Sequence, residues 1–159
     1  MKQGDRLVGK FRLPAEYVGR IGERIALRTL HDAGYDVYPY WLWEHRQIDS
    51  PTIAKDEDHD IGELKYKRDD RSQVLAKKLR RIKEEIGKKY RYSCQGVDLI
   101  AFKNGDVYLI EVKVNEGELL APQMEFMERA SKELGVNTFI LHFSVSELEY
   151  SATASSTIT

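Results

Sequence analysis

Two apolar segments, separated by a short polar turn, form the clearest pattern in this sequence. The first covers residues 97–103 and the second residues 106–114, and both are rich in Val, Ile, Leu and aromatic side chains. The Asn104-Gly105 pair between them tolerates the positive φ angles of a tight turn. We therefore predict two antiparallel strands joined by a hairpin. The first strand is apolar on both faces, which is typical of a sheet covered on both sides.

Helical periodicity occurs in two segments on either side of this hairpin. Residues 14–33 place apolar side chains on one stripe, with Pro14 suited to the first turn of a helix and Gly34 to its end. Residues 119–134 predict a second helix, which Gly135 would end. These patterns indicate that helices precede and follow the hairpin.

Two further segments predict strands. The segment from Tyr35 to Trp43 alternates between polar and apolar positions, although Pro39 favours an edge strand or a bulge. On such a strand Trp41 and Trp43 share a face, which would serve core packing, a dimer interface or stacking on bases. The last strand runs from Thr138 to Phe143. The resulting order, helix, three strands, helix, strand, predicts an α/β fold.

The composition fits a single compact domain. The chain has 159 residues, of which 42% are hydrophobic, and Cys94 is its only cysteine, so an internal disulfide is excluded. No apolar run approaches the roughly 20 residues that span a bilayer, and we expect a cytoplasmic protein without a membrane partner. Residues 1–150 would form the domain, and the small polar residues 151–159 a disordered tail.

Charge is distributed unevenly, although the net charge is only −1. The segment from Lys65 to Arg91 contains twelve Lys or Arg and four Asp or Glu. Residues 70–90 predict a helix inside a basic insertion at about residues 50–92. Its single apolar stripe consists of Leu75, Leu79, Ile82 and Ile86. Clustered basic side chains favour contact with nucleic-acid phosphates, although the stripe could instead form a dimer interface with solvated charges around it. The predicted phosphate contacts are Lys77, Lys78, Arg80, Arg81, Lys88 and Lys89.

Candidate chemistry lies on the predicted hairpin. Asp98 stands at the start of its first strand, and Glu111 and Lys113 stand near the end of its second, 13 and 15 positions later. The hairpin would bring these side chains together, and two carboxylates with an ammonium can hold a hard divalent cation beside a proton donor. The alternative is an exposed ion pair, but charges beside such an apolar run are costly unless they are paired or bind metal.

The element order with Asp98 and Glu111-Val112-Lys113 resembles the PD-(D/E)XK nuclease superfamily. Within it, the chain looks most like archaeal-type Holliday-junction resolvases and VRR-NUC nucleases. The resemblance covers Tyr17 to Phe143 without the basic insertion, and it includes residues 19–24 and 120–127, which look like the first and second helices of those families. Val97 stands where many relatives have proline. The resemblance implies a restriction-endonuclease-like αβββαβ core, with a mixed central sheet flanked by helices.

The same resemblance implies roles for the central residues. Asp98 and Glu111 would bind Mg²⁺, or Mn²⁺ as a substitute, and the carbonyl of Val112 would be a third protein ligand. Lys113 would orient the attacking water or stabilise the charge that develops on the phosphate.

Two other side chains have roles that remain open at this point. Glu23, on the first helix, would hold a second ion or a water of the metal, or it would be a partly exposed glutamate beside an arginine. Gln123 would reach the site, or it would cap the second helix. Both are candidate catalytic residues.

These expectations lead to one function and one alternative. The function is a Mg²⁺-dependent DNA endonuclease that is selective for branched DNA such as a Holliday junction, or that acts in repair, recombination or a mobile element. Its partners would be DNA and a second copy of the chain, in a homodimer or a higher homo-oligomer. The alternative is a catalytically silent nuclease fold that serves as a DNA-binding or assembly module.

Overall fold

A computed structural model of the chain describes residues 6–12, 15–49, 68–91, 93–115, 118–143 and 147–153. Six strands and four helices occur within these ranges. In chain order they are β1 (Arg6–Arg12), α1 (Ala15–Asp32), β2 (Asp36–Pro39), α2 (Tyr40–Ile48), α3 (Asp70–Tyr90), β3 (Leu99–Lys103), β4 (Asp106–Val114), α4 (Ala121–Leu134), β5 (Asn137–Phe143) and β6 (Glu147–Thr153).

The central sheet has four strands in the order β2-β3-β4-β5. The first two pairings are antiparallel and the third, between β4 and β5, is parallel, because α4 crosses over between these two strands. The β3–β4 hairpin turns at Asn104 and Gly105, which have φ angles of 53° and 82°. The predicted hairpin and its turn are therefore confirmed.

Helices cover both faces of this sheet. On one face, Ala26 and Leu27 of α1 pack against side chains of β3 and β4 such as Ile110. On the other face, a larger cluster joins α2, α3 and α4 to the sheet, with Trp43 and Phe126 among its buried side chains. The predicted α/β fold with a mixed sheet flanked by helices is confirmed. In the part of the chain that the structure describes, no helix has the length and apolarity to cross a membrane.

The predicted strand from Tyr35 to Trp43 is wrong in its second half. Strand β2 ends at Pro39, whose ring leaves it without an N–H for further strand pairing, and α2 begins at Tyr40. The helix turns the two tryptophans in different directions. Trp43 is buried in the core with 1% of its surface exposed, whereas Trp41 is 59% exposed. The prediction that Trp41 and Trp43 share a strand face is therefore also wrong.

The predicted helix at residues 70–90 is confirmed as α3, and its packing bears on the expected dimer interface. Asp69 caps it by accepting a 2.8 Å hydrogen bond from the Ser72 N–H. The apolar stripe lies inside the protein, since Leu79, Ile82 and Ile86 are at most 3% exposed and pack with α2 and α4, and Leu75 packs partly buried against the same cluster. The stripe is thus core, and the hypothesis that it forms a dimer interface is wrong. The first part of the predicted insertion, residues 50–67, lies outside the described residues.

The first and last strands in chain order, β1 and β6, form a separate antiparallel sheet that the sequence did not predict. In it Gly9 lies opposite Tyr150, and Leu7 opposite Ala152. The predicted disordered tail is wrong for residues 151–153, because β6 extends to Thr153. Residues 154–159 of that predicted tail lie outside the described residues.

Candidate metal and catalytic site

Asp98 and Glu111 lie side by side at the end of the central sheet. Leu99 and Ile110 are the last pair of the ladder between β3 and β4 at this end. One more step of the same register sets Asp98 opposite Glu111. Asp98 is outside the ladder, on a bend before β3, and its Oδ2 accepts a 2.7 Å hydrogen bond from the Val112 N–H. The hairpin therefore brings both carboxylates together, as the sequence predicted.

Glu111 is almost completely buried, with 3% of its surface exposed. Its Oε1 accepts a 2.8 Å hydrogen bond from Gln123 Nε2 and lies 3.2 Å from Lys113 Nζ. Its Oε2 is also buried and receives no well-formed hydrogen bond from the described residues, although the main-chain N–H of Asp98 lies close enough to the carboxylate to lower its pKa. Buried carboxylate oxygens normally have a partner, so this atom marks a place where a cation or another donor fits.

Gln123 performs both of the tasks between which the sequence could not choose. Its Oε1 accepts a 3.0 Å hydrogen bond from the Leu120 N–H at the start of α4 and a 3.2 Å bond from Lys113 Nζ. Its Nε2 donates to Glu111. Gln123 thus caps the start of the helix and holds the carboxylate and the ammonium of the site in one arrangement.

Burial makes both carboxyl groups hard to ionise in the absence of a cation. Desolvation raises the pKa of Asp98 to about 6. The hydrogen bond from the Val112 N–H partly lowers this pKa, and the nearby charge of Glu23 raises it. Desolvation and then the Asp98 charge raise the pKa of Glu111 to about 7, and Lys113 opposes this. Two neighbouring acids with raised pKa values are a common arrangement at functional sites, and a bound divalent cation would reverse the shift.

Glu23 lies on α1, on the opposite side of the sheet from Gln123. The helix approaches β4 closely at Gly22, where a Cβ would overlap Val114 Cγ2 and come within 3.4 Å of Val112 Cγ1. This close approach brings Glu23 near enough to Asp98 to raise its pKa. Gly19 makes no comparable contact, since a Cβ there would meet nothing within 4 Å.

The oxygen atoms at this end of the sheet suit a small, hard cation. In an extended strand the N–H and C=O of one residue point to the same side, so the Val112 carbonyl faces Asp98 as its N–H does. Asp98, Glu111 and this carbonyl offer oxygens only. No cluster of three or more His, Cys, Asp or Glu side chains with metal-binding geometry occurs among the described residues. Mg²⁺ commonly binds to one or two carboxylates and keeps several waters, so this donor set fits it.

The basic side chains of α3 fall into two groups. Three of the predicted phosphate contacts are engaged with acids: Arg80 with Glu44 and Asp49, Arg81 with Glu85, and Lys89 with Glu125. The other three, Lys77, Lys78 and Lys88, are exposed and form no ion pair with a described residue. The excess positive charge of the segment is therefore partly neutralised within the fold.

The exposed lysines of α3 lie at different distances along the helix from the end of the α3–α4 pair that carries Gln123. The pairs Lys89–Glu125 and Glu85–Arg129 show that α3 and α4 run antiparallel. Lys88 consequently lies at the end of the helix pair that carries Gln123. Lys78 lies at the other end, beside Leu134.

Sequence inspection missed a partly buried ionic network between α2 and α3, with Glu44 at its centre. Glu44 is 4% exposed, and its carboxylate receives Arg80 Nε at 3.0 Å and Lys83 Nζ at 2.9 Å. The partners are separated by 36 and 39 positions, so no local spacing could have revealed the contact. Asp49 extends the network by accepting from both terminal nitrogens of Arg80 at 3.0 and 2.7 Å.

The function of this site has to be inferred from its own geometry and chemistry. Comparison of the chain with models of protein families, with curated proteins and with solved structures gave no match.

Proposed function

We propose that this protein is a divalent-metal-dependent nuclease that hydrolyses phosphodiester bonds in DNA. One observation carries the proposal. The buried carboxylate of Glu111, with one oxygen lacking a hydrogen-bond donor among the described residues, lies beside the second carboxylate of Asp98 and the ammonium of Lys113. A purely structural ion pair would need only one carboxylate for Lys113, and the second acid would then raise the cost of burial.

The cation that fits these oxygens is Mg²⁺, with Mn²⁺ as a substitute. When bound, such an ion polarises the scissile phosphate and lowers the pKa of an attacking water. Asp98 and Glu111 would hold it, and the Val112 carbonyl would complete the protein's share of ligands. The unpartnered Oε2 of Glu111 supports this assignment, because a cation would give that atom the partner it lacks among the described residues.

Lys113 would act on the reacting phosphate. Its Nζ is held at 3.2 Å from both Glu111 Oε1 and Gln123 Oε1, and its side chain is 16% exposed. An ammonium fixed in this way can orient a water or stabilise negative charge on phosphate oxygens without reorganising during the reaction. Gln123 would position both Lys113 and Glu111. Glu23 would orient solvent on the Asp98 side.

Substrate recognition would rest mainly on phosphate contacts. Lys88 at the Gln123 end of α3, and Lys77 and Lys78 further along it, carry positive charges that are not paired with described acids. Such contacts give affinity for any sequence, which agrees with an enzyme selective for DNA structure, including branched junctions. Cutting both strands of such a substrate would use two sites, which a homodimer would supply.

A direct assay with defined substrates tests the proposal. Purified protein would be incubated with Mg²⁺, Mn²⁺ or chelator and with linear duplex, flapped, single-stranded and four-way DNA. We expect cleavage that requires the metal and is strongest on a branched substrate. DNA binding without cleavage of any substrate would contradict nuclease activity and favour a silent binding module. Light scattering of the same sample would measure the oligomeric state.

A further inference from the structure

The ionic network between α2 and α3 has a direct connection to the candidate metal site. At the centre of the network, the Glu44 carboxylate accepts hydrogen bonds from three side chains: Tyr40 Oη at 2.6 Å, Arg80 Nε at 3.0 Å and Lys83 Nζ at 2.9 Å. The two cations balance Glu44 and Asp49, so the group as a whole is neutral. Hydrogen bonds from several donors to one buried carboxylate hold the members of such a group rigidly.

Tyr40 is the member of the network that reaches the site. Burial, together with the neighbouring Glu44 carboxylate, raises the pKa of its hydroxyl, so the group stays protonated and donates to Glu44. Lys83 Nζ also lies 5.3 Å from the centre of the Tyr40 ring. At its other end, the backbone N–H of Tyr40 donates a 2.9 Å hydrogen bond to the carbonyl oxygen of Asp98.

The tyrosine ring also packs on the chain just before Asp98. Gly96 has a φ angle of 84°, and a Cβ on it would lie 2.8 Å from Tyr40 Cε1. Because Asp98 lies on a bend outside the strand ladder, these contacts replace the strand pairing that would otherwise fix its main chain. Its side chain is fixed separately by the Val112 N–H.

We propose that Tyr40 and Glu44 are positioning residues for Asp98, with Lys83 and Arg80 holding Glu44 in place. The network holds the tyrosine by its hydroxyl and its ring. The tyrosine in turn fixes the main chain that carries the Asp98 carboxylate, through its backbone N–H and its contact with Gly96. This inference rests on the proposed function for the identity of Asp98 as a metal ligand. It gives α3 a second task, because the helix that would contact DNA also supports the metal site from behind.

Two variants test the proposal without removing bulk from the core. Tyr40→Phe deletes only the hydroxyl, and Glu44→Gln deletes only the charge. Two readouts are independent of cleavage: Mn²⁺ affinity measured by electron paramagnetic resonance, and amide hydrogen exchange of Tyr40 and Val112 measured by NMR. The Tyr40 amide reports its bond to the Asp98 carbonyl, and the Val112 amide reports its bond to the Asp98 carboxylate.

In both variants we expect these two amides to exchange faster. We also expect the dissociation constant for Mn²⁺ to rise about three- to tenfold, which is at or below the smallest losses caused by changing a group that orients a metal ligand.

Two controls separate positioning from general destabilisation. Glu85→Gln breaks the exposed pairs of α3 with Arg129 and Arg81, and Ile86→Val trims a buried side chain of the same helix. Both controls should leave the two amides and the Mn²⁺ affinity unchanged.

Unchanged exchange at Val112 and unchanged Mn²⁺ affinity in a folded Tyr40→Phe protein would overturn the inference, as would equal effects in the controls. If Glu44→Gln does not fold, Tyr40→Phe decides alone. If the wild-type protein binds no Mn²⁺, the proposed function fails. Faster exchange at Tyr40 and Val112 in the variants would even then support the positioning role.

Discussion

Gln123 Nε2 lies 2.8 Å from Glu111 Oε1, while the other end of the same amide receives the Leu120 N–H and the Lys113 ammonium. One side chain thus couples the start of α4 to both charged groups on β4. We expect Gln123→Ala to lower cleavage by about ten- to a hundredfold, as loss of a group that orients a metal ligand does. The loss of the helix cap should cost about 1 kcal/mol of stability.

The variant Gln123→Glu separates these two effects. A glutamate can still accept from the Leu120 N–H, so the helix start should keep most of its stability. It cannot donate to Glu111 and adds a third negative charge beside that carboxylate, which should raise the pKa of Glu111 further. Thermal melts and pH–rate profiles of both variants measure this. Equal losses of stability in the two would contradict a capping role.

Gly19 and Gly22 of α1 should respond in opposite directions to alanine. A Cβ on Gly22 overlaps Val114 Cγ2, so Gly22→Ala should push α1 from β4 and cost about 1–3 kcal/mol. A Cβ on Gly19 meets nothing within 4 Å, so Gly19→Ala should stabilise the helix by up to about 1 kcal/mol. Chemical denaturation measures both. If both variants were stabilised, the close approach of α1 to β4 would be refuted.

Proton uptake by the two buried acids should make the metal-free protein more stable at lower pH. The pKa of Asp98 is raised to about 6 and that of Glu111 to about 7, so the folded protein holds protons that the unfolded chain has already released. The stability that these two acids contribute is therefore fully present below their pKa values in the unfolded chain. It is lost as the pH rises through their pKa values in the folded protein. In chelator, we expect the melting temperature of the wild type to fall between about pH 5 and about pH 8.

Two comparisons assign this pH dependence to the site. Glu111→Gln removes one titrating acid, so its melting temperature should vary less over the same pH range. Mg²⁺ added at the alkaline end should raise the melting temperature of the wild type, because an ion held by the folded site alone would stabilise the folded state. A Glu111→Gln profile parallel to that of the wild type would show that Glu111 does not titrate as its surroundings indicate.

The exposed lysines of α3 should affect DNA affinity without affecting stability. For the triple variant Lys77→Gln, Lys78→Gln, Lys88→Gln, we expect weaker binding to all sequences. Its salt dependence should be shallower by about 0.9 in log K per decade of salt for each phosphate that the variant no longer neutralises. Lys132→Gln, on the exposed side of α4, is the control. Wild-type affinity of the triple variant across a salt titration would exclude these lysines of α3 from the DNA interface.

Arg80→Gln should behave differently, because Arg80 belongs to the network with Glu44 and Asp49. Removing its charge leaves Glu44 buried with one cation fewer, so a loss of stability is expected in addition to any loss of affinity. Thermal melts would detect it. Equal stability of Arg80→Gln and Lys78→Gln would contradict the structural role of Arg80.

Local patterns predicted most of the elements that build the site. The Asn104-Gly105 turn fixed the hairpin, and the register of that hairpin sets Asp98 opposite Glu111. The helix ends at Gly34 and Gly135 were also predictable, and both glycines adopt positive φ. These features depend on residues close together in the chain, where backbone preferences act directly.

Contacts between distant segments were not predictable in the same way. The alternation before Trp43 looked like a strand, but the start of α2 depends on Tyr40 packing against Gly96 and Phe126, which lie far along the chain. The network around Glu44 joins α2 and Asp49 to residues of α3 that lie 31 to 39 positions further along the chain. The strands β1 and β6 pair across almost the whole sequence. A single sequence contains no periodic pattern for any of these contacts.

The most direct test of the central claim is the cleavage rate of Glu111→Gln relative to the wild type in Mg²⁺. Glutamine keeps the shape of the side chain and can still accept from Gln123 and Lys113, so the fold and DNA binding should survive, which melts and binding assays would verify. We predict that Glu111→Gln, like Asp98→Ala, abolishes cleavage, that Lys113→Ala loses most of it, and that chelator abolishes it in the wild type. Wild-type turnover by a folded Glu111→Gln protein, or undiminished cleavage in chelator, would contradict the assignment of this site.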